Sequence, residues 1–321
     1  MKQFSRLLGL SVLVLLLNFP MASIAQSYPS HAVSIIIPFP PGGTLDTVGR
    51  MLAQKLSEQT GQSFVVENRA GAGGVIGANA VGKSNPDGYS LLFSASTFAS
   101  APMVVKGVVY DVERDFAPIA LVAKAPLAVA VNNSLPVNNI ADLIAYSKSK
   151  NAPLSFAIGS LASAGHLSTE LLKKMGGIDY TAIQYKGSSP AYNDLIGGRL
   201  DGFVDPILGS APFAKAGQLK VIAVTSSARL PNMPNTPVVA ETLPGYEYYS
   251  WYGLWGPSKL PANVAQFLND EVNKALLAMA PRLREQGLIE TPGSIEQFAK
   301  FQSDDMKQAK KLIDEGGIHA E

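Results

Sequence analysis

The residues best placed to do chemistry stand in two turns. In the first, SIIIPFPPGGTLD (34–46), the run Ile35-Ile36-Ile37 reads as a buried strand that stops at Pro38, Pro40 and Pro41, which cannot continue a sheet ladder. Gly42 and Gly43 permit unusual backbone angles, Thr44 is placed to cap a helix, and Leu45, Val48, Leu52 and Leu56 recur at helical spacing. In the second, the strand pattern Ser155 to Ile158 leads into GSLASAGH (159–166), after which Leu167, Leu171, Leu172 and Met175 continue a helix. A helix start presents unpaired N–H groups and partial positive charge, so each turn could hold an anion. Two such turns, one from each of two lobes, could grip a small anion between them, beyond the carboxyl ends of the strands.

Bond-breaking chemistry finds less support. Ser163 is no nucleophile elbow, since only one of the two glycines of G-x-S-x-G is in place. The histidines are His31, His166 and His319, two of them near the chain ends, and no H-E-x-x-H occurs. With no cysteine anywhere, disulfides and thiolate metal sites are excluded. The segment GAGGVIG (71–77) imitates a dinucleotide fingerprint, but its glycines miss the required spacing. No cofactor, no metal and no catalysis are expected. The remaining ionisable residues each carry two readings. Asp46 either complements a helix dipole and pairs with Arg50 at i+4, or meets ligand. His166 is either a structural donor or a contact, and Lys186 is either solvated or a contact. Asp205 either meets a ligand ammonium or caps Ile207 and Leu208.

The elements that must position these groups alternate. Phe64 to Val66, Tyr89 to Phe93, Leu127 to Val131, Ser155 to Ile158, Thr181 to Tyr185, Gly202 to Val204 and Val221 to Val224 read as strands. Helix patterns fall between them near 140–149, 166–175, 190–197 and 207–216. This alternation argues for an α/β fold with parallel sheets covered on both faces. The last part changes character. YEYYSWYGLWG (246–256) is aromatic and extended, and two helix patterns come after it. One buries Val264, Phe267, Leu268, Val272, Ala275, Leu276 and Met279; the other opens on a Ser294/Gln297 capping box and carries Phe298, Phe301, Leu312 and Ile313. Late helices with no sheet of their own must pack on an earlier lobe. The expected division is a first lobe of 27–124 plus 249–321 and an inserted second lobe of 125–248, with crossings near Ala125 and Trp251.

Lys2 and Arg6 precede an apolar stretch from Leu7 to Leu17, and Ser23-Ile24-Ala25 offers small residues for cleavage, the pattern of a secretory signal peptide over 1–26. The mature chain would then start near Gln26 and act in the periplasm. Without Lys2 and Arg6 the chain's 26 basic residues become 24 against 25 acidic ones, a balance that argues against nucleic-acid binding.

Six segments, in order, carry a resemblance: PFPPGGTLDTVGR (38–50), VVENRAGAGGVIGANAV (65–81) with NPDGYSLL (85–92), GHLSTELL (165–172), YKGSSPAYNDLIGGRLDG (185–202), GQLKVIAVTSSARLPNMPNTPVVAE (217–241) and WYGLWGP (251–257). Together they resemble the solute receptors of tripartite tricarboxylate transporters, the Bug receptors, over nearly all of the mature chain. The resemblance implies a two-lobed periplasmic binding protein (type II, Venus-flytrap) that closes on a small carboxylate, an organic acid or amino acid, and delivers it as a monomer to integral membrane transporter subunits. A sensing partner in place of the transporter is the alternative. It also implies ligand-binding positions: Phe39, Gly43, Thr44 and Asp46 in the first-lobe loop, Ser94 and Thr97 in a neighbouring wall, Ser160, Ser163 and His166 in the second-lobe loop, and Asp205 at the end of a second-lobe strand. The loop Gly159 to Gly165 departs from the pattern in carrying Leu161 and Ala162 at its middle.

Overall fold

The computed structural model describes residues 28–318; the expected signal peptide and its cleavage site lie outside them. In chain order the strands are β1 (Val33–Ile37), β2 (Phe64–Asn68), β3 (Ser90–Ala95), β4 (Phe116–Asn132), β5 (Leu154–Ile158), β6 (Tyr180–Gln184), β7 (Gly202–Pro206), β8 (Leu219–Val224), β9 (Tyr249–Pro257) and β10 (Ile289–Glu290). The helices are α1 (Thr44–Thr60), α2 (Val75–Gly82), α3 (Thr97–Val104), α4 (Val112–Asp115), α5 (Ile140–Ser149), α6 (Ala164–Gly176), α7 (Ser188–Ile196), α8 (Ile207–Lys215), α9 (Ala262–Glu285) and α10 (Ile295–Gly316).

The strands join in the order β2-β1-β3-β9-β4-β7-β5-β6, with β8 and β10 also paired to β4. Each end of this path is parallel: β1 lies parallel to β2 and β3, and β5 parallel to β6 and β7. The middle is antiparallel, which corrects the expectation of purely parallel sheets. The aromatic stretch enters the sheet as β9, antiparallel to both β3 and β4. The reason is topological. A crossover helix returns a strand parallel to its neighbour, whereas β4 and β9 cross directly from one half of the molecule to the other.

β4 is long because it serves both halves. Phe116 to Pro126 pair with β9, and Leu127 onward pair with β7 and β8. Two cores form on either side of that change. Around Ile35, Ile37, Leu91 and Phe93 pack Val48, Leu52 and Leu56 of α1 and Leu268, Val272 and Leu276 of α9, so the helical spacing read from these two segments is the buried face of each. Around Val129, Val131 and Phe156 pack Leu143, Leu167 and Leu172, joined by Leu312 and Ile313 from the end of α10. Helix α10 thus touches both halves. It begins with the expected capping box of Ser294 and Gln297 and ties to β9 through Trp255 Nε1, which donates to Gln302 Oε1 at 2.7 Å. Both tryptophans are buried in packing.

Thr225 fastens the two crossing strands together. Its Oγ1 accepts from Leu127 N–H at 2.8 Å and donates to Tyr248 C=O at 2.6 Å. All three residues are buried, so the side chain satisfies two backbone groups that have no water to turn to.

Candidate functional site

A cavity of about 160 Å3 lies between the halves, and helix starts surround it. Gly43 and Thr44 open α1, Thr97 opens α3, Ser163 and Ala164 open α6, Ser188 to Pro190 open α7, and Pro206 precedes α8; all line the cavity. Four of the five, α1, α3, α7 and α8, have no side-chain cap. Their first-turn amides are therefore available to whatever occupies the cavity, and the five dipoles add a positive field there.

The first loop is held by Asp46. Its Oδ2 accepts from Gly42 N–H at 3.1 Å and from Arg50 Nε at 3.0 Å, and its Oδ1 accepts from Asn68 Nδ2 at 2.9 Å. Asn68 Nδ2 also donates to Phe39 C=O at 3.0 Å. Burial pushes the Asp46 carboxyl up, but the bonds from Arg50, Asn68 and the Gly42 amide outweigh it and hold the pKa below its ordinary value. Asp46 borders the cavity while its carboxylate is engaged in shaping the Pro-Pro-Gly-Gly turn. Thr44 corrects the reading as a cap: Gly43 takes the cap position and Thr44 is the first helical residue.

The second loop is held by His166. Its ring lies buried beneath the loop, and Nδ1 accepts from Ala162 N–H at 3.2 Å. Accepting there places the ring proton on Nε2, which is 3.9 Å from Glu170 Oε1. Burial lowers the His166 pKa to about 4, so the ring is neutral at ordinary pH. Ala162 sits at φ +50°, a left-handed conformation rare for residues other than glycine, and its carbonyl accepts from Ser100 Oγ of α3 at 2.8 Å. These bonds supply what the missing glycine would otherwise make easy. Ser163 both lines the cavity and caps α6, its Oγ accepting from His166 N–H at 3.3 Å.

Asp205 ends β7 at the cavity. Its Oδ1 accepts from Ser188 Oγ and its Oδ2 from Tyr192 OH, both at 2.9 Å. It does not cap α8, which Pro206 precedes with no side-chain cap. Burial pushes the Asp205 pKa up to about 7, although the two hydroxyl bonds act the other way.

Of the residues singled out in the sequence, Phe39, Gly43, Thr44, Asp46, Thr97, Ser160, Ser163 and Asp205 line this one cavity. Ser94 and His166 do not. Ser94 is fully buried in β3, where strand alternation turns Ala95 to the cavity instead; His166 folds back onto Ala162. Reasoning from sequence missed Ser188, Ser189, Ser250 and Tyr252 as lining residues and left Lys186 open between a solvated side chain and a contact; Lys186 lines the cavity as an exposed cationic side chain. The YKGSSP segment (185–190) repeats the strand, turn and helix-start pattern of the other two loops, and that repetition could have exposed it. Nothing local marks Ser250 and Tyr252, which reach the cavity only because β9 pairs beside β3 and β4.

Two mixed halves joined by crossing strands around a cleft define the chain as a two-lobed periplasmic binding protein. Solved structures agree. The chain is 35% identical to Rpa4515 of R. palustris, solved with adipate, at a TM-score of 0.88, covering 92% of this chain and 100% of that one. It is 33% identical to the periplasmic binding protein BugD, at a TM-score of 0.84 with the same coverage of 92% and 100%. It is 27% identical to MatC from Rhodopseudomonas palustris, solved with malate, at a TM-score of 0.82, covering 89% and 100%. The sequence model of the tripartite tricarboxylate transporter family receptor matches residues 48–318. The chain belongs to that family of solute receptors.

Proposed function

We propose that the chain is a periplasmic receptor that captures a small carboxylate in the cleft and hands it to the integral membrane subunits of a tripartite tricarboxylate-type transporter. The observation that carries this reading is the convergence of five helix starts, four of them uncapped, on one cavity. Such a site offers N–H donors and positive potential to an anion. The relatives solved with adipate and malate support a carboxylate as that anion. Among the described residues no helix is long and apolar enough to cross a membrane.

The energetics ask for more than dipoles. A micromolar complex needs about −8 kcal/mol, and a helix terminus contributes about 0.3–2 kcal/mol. Direct bonds from the loop amides and from Thr44, Thr97, Ser160 and Ser189, with exclusion of water on closing, supply the remainder. In this reading the division at 27–124 with 249–321 and 125–248 describes the two closing bodies. The hinge is the pair of crossings near Ala125 and Trp251, and α10 runs along it. Native mass spectrometry of protein purified without refolding, followed by calorimetry with the co-purified compound, tests the proposal. A bound organic acid that rebinds in the calorimeter supports it; a bound cation or neutral sugar overturns it.

A further inference from the structure

Asp205 and Tyr252 face the cavity from two different elements, and the protein leaves hydrogen-bonding capacity on both. Each oxygen of a carboxyl group has two acceptor sites. Ser188 and Tyr192 take one on each oxygen of Asp205, so one on each remains. The groups that face Asp205 can be named element by element. Helix α7 brings the hydroxyls of Ser188 and Tyr192; β9 brings Tyr252; α8 approaches at Gly209, where an added Cβ would lie 2.9 Å from Asp205 Oδ2; β4 places apolar Ala128 across the ladder. On the cavity wall stand Lys186, at the rim, and Asp46, already bound by Arg50. Among the described residues no cation bonds to Asp205. Tyr252 is 1% exposed and lines the cavity with the Thr44 and Ser250 hydroxyls nearby, but none of the described residues bonds its hydroxyl at hydrogen-bond geometry. A buried donor left unmade is costly, so a ligand atom that accepts from it is favoured.

Resting on the carboxylate reading above, we propose that Asp205 and Tyr252 form an inner subsite for the second polar end of a bifunctional acid, and that a second carboxylate enters it together with one proton shared with Asp205. The alternatives fit less well. An ammonium end gives Asp205 a donor but gives Tyr252 no acceptor, and a methyl end satisfies neither. An ionised carboxylate accepts from Tyr252 but meets Asp205 as a like charge, a conflict that two facing carboxyl groups resolve by holding one proton between them. Burial pushes the Asp205 pKa up to about 7, so below that pH the shared proton already sits on Asp205 and above it the proton is drawn from solvent on binding. A hydroxyl end fits without a proton, since it donates to Asp205 and accepts from Tyr252.

Matched probes that differ only at the far end test this: succinate, butyrate, γ-hydroxybutyrate and γ-aminobutyrate, with adipate and hexanoate as a longer pair. Calorimetry in buffers of different ionisation enthalpy counts protons. Above the Asp205 ionisation the diacid of the length that fits is expected to bind with uptake of about one proton and to weaken about tenfold per pH unit; below it Asp205 already holds the proton and binding takes up none. Asp205→Asn places a neutral donor there and should bind the diacid with no proton uptake and a flat pH profile. Tyr252→Phe should weaken the diacid about tenfold while leaving the monoacid of that length unchanged. Diacid binding by the wild-type protein above the Asp205 ionisation without proton uptake, or preference for the ammonium probe, overturns the subsite without recourse to any variant. Butyrate or hexanoate bound as tightly as its diacid also overturns it, yet leaves the carboxylate grip standing. Failure of every probe to bind removes the grip and the subsite together.

Discussion

Gly43 has a backbone angle of φ −82°, which any residue adopts, and open space where a Cβ would begin. A side chain there would enter the cavity and not the protein. Gly43→Leu is therefore expected to fold with an unchanged melting temperature and to lose binding about 100-fold or more, close to the 2.7 kcal/mol such a ratio represents; normal affinity by calorimetry would show that the first loop is not the grip. Asp205 makes the second prediction at this scale. Its folded pKa of about 7 lies above the ordinary 3.8, so between those values the folded state holds a proton that the unfolded state has released. Its contribution to stability is present below about pH 4 and is lost as pH rises through about 7, a shift worth roughly 4 kcal/mol at most. Asp205→Asn should abolish that slope, so thermal melts of the two proteins should diverge in the variant's favour from pH 5 to pH 8. Parallel curves would mean that Asp205 is not strained by its burial.

At the scale of an element, the start of α6 combines a cap with a close approach. Ser163 satisfies the His166 amide, and its replacement by alanine should cost about 1 kcal/mol and loosen the loop that lines the cavity. Two residues on, Gly165 lies against β7: an added Cβ would overlap the Val204 carbonyl oxygen, which is backbone and cannot step aside. Gly165→Ala should therefore cost about 2–3 kcal/mol, more than the loss of the cap, although alanine is the better helix former. Chemical denaturation of both variants gives the order; a Gly165→Ala protein as stable as wild type would show that α6 is free to shift off the strand. The helix gives up some propensity for that contact, and the gain is that its amino end reaches the cleft.

Across the whole molecule, Thr225 bonds both crossing strands at the point where β4 passes from one half to the other. Thr225→Val keeps the shape but strands the Leu127 N–H and the Tyr248 carbonyl. It should cost about 1–3 kcal/mol and alter the balance between open and closed forms. Small-angle scattering with and without ligand reads that balance: the wild-type protein should contract on binding, and the variant should contract less completely or already be contracted without ligand. An identical response in both proteins would place the hinge elsewhere. Leu312 and Ile313 join the second core while Gln302 bonds Trp255 of β9, so α10 is tied to both halves.

Much of this protein was legible from its residues in order. Period-two and period-3.6 patterns placed the strands and helices, because those periods decide which side chains can be buried together. The loops around Gly43 and Ser163 were recognisable as turns into helices because proline ends a strand, glycine permits the turn and hydroxyl residues favour a helix start. Other features required the third dimension. Nothing adjacent in sequence tells that Asp46 would be consumed by Gly42, Arg50 and Asn68, that His166 would turn back to Ala162, or that Ser94 would face away while Ala95 faces the cleft. Tyr252 and Asp205 stand 47 positions apart in the chain and share a cavity only because β4 pairs with β9 at one end and with β7 at the other. Sequence determined the elements through local periodicity and turn chemistry. Tertiary structure decided which donors and acceptors the protein uses up on itself and which it leaves for a ligand, since that depends on distances set by strand pairing and not by position along the chain.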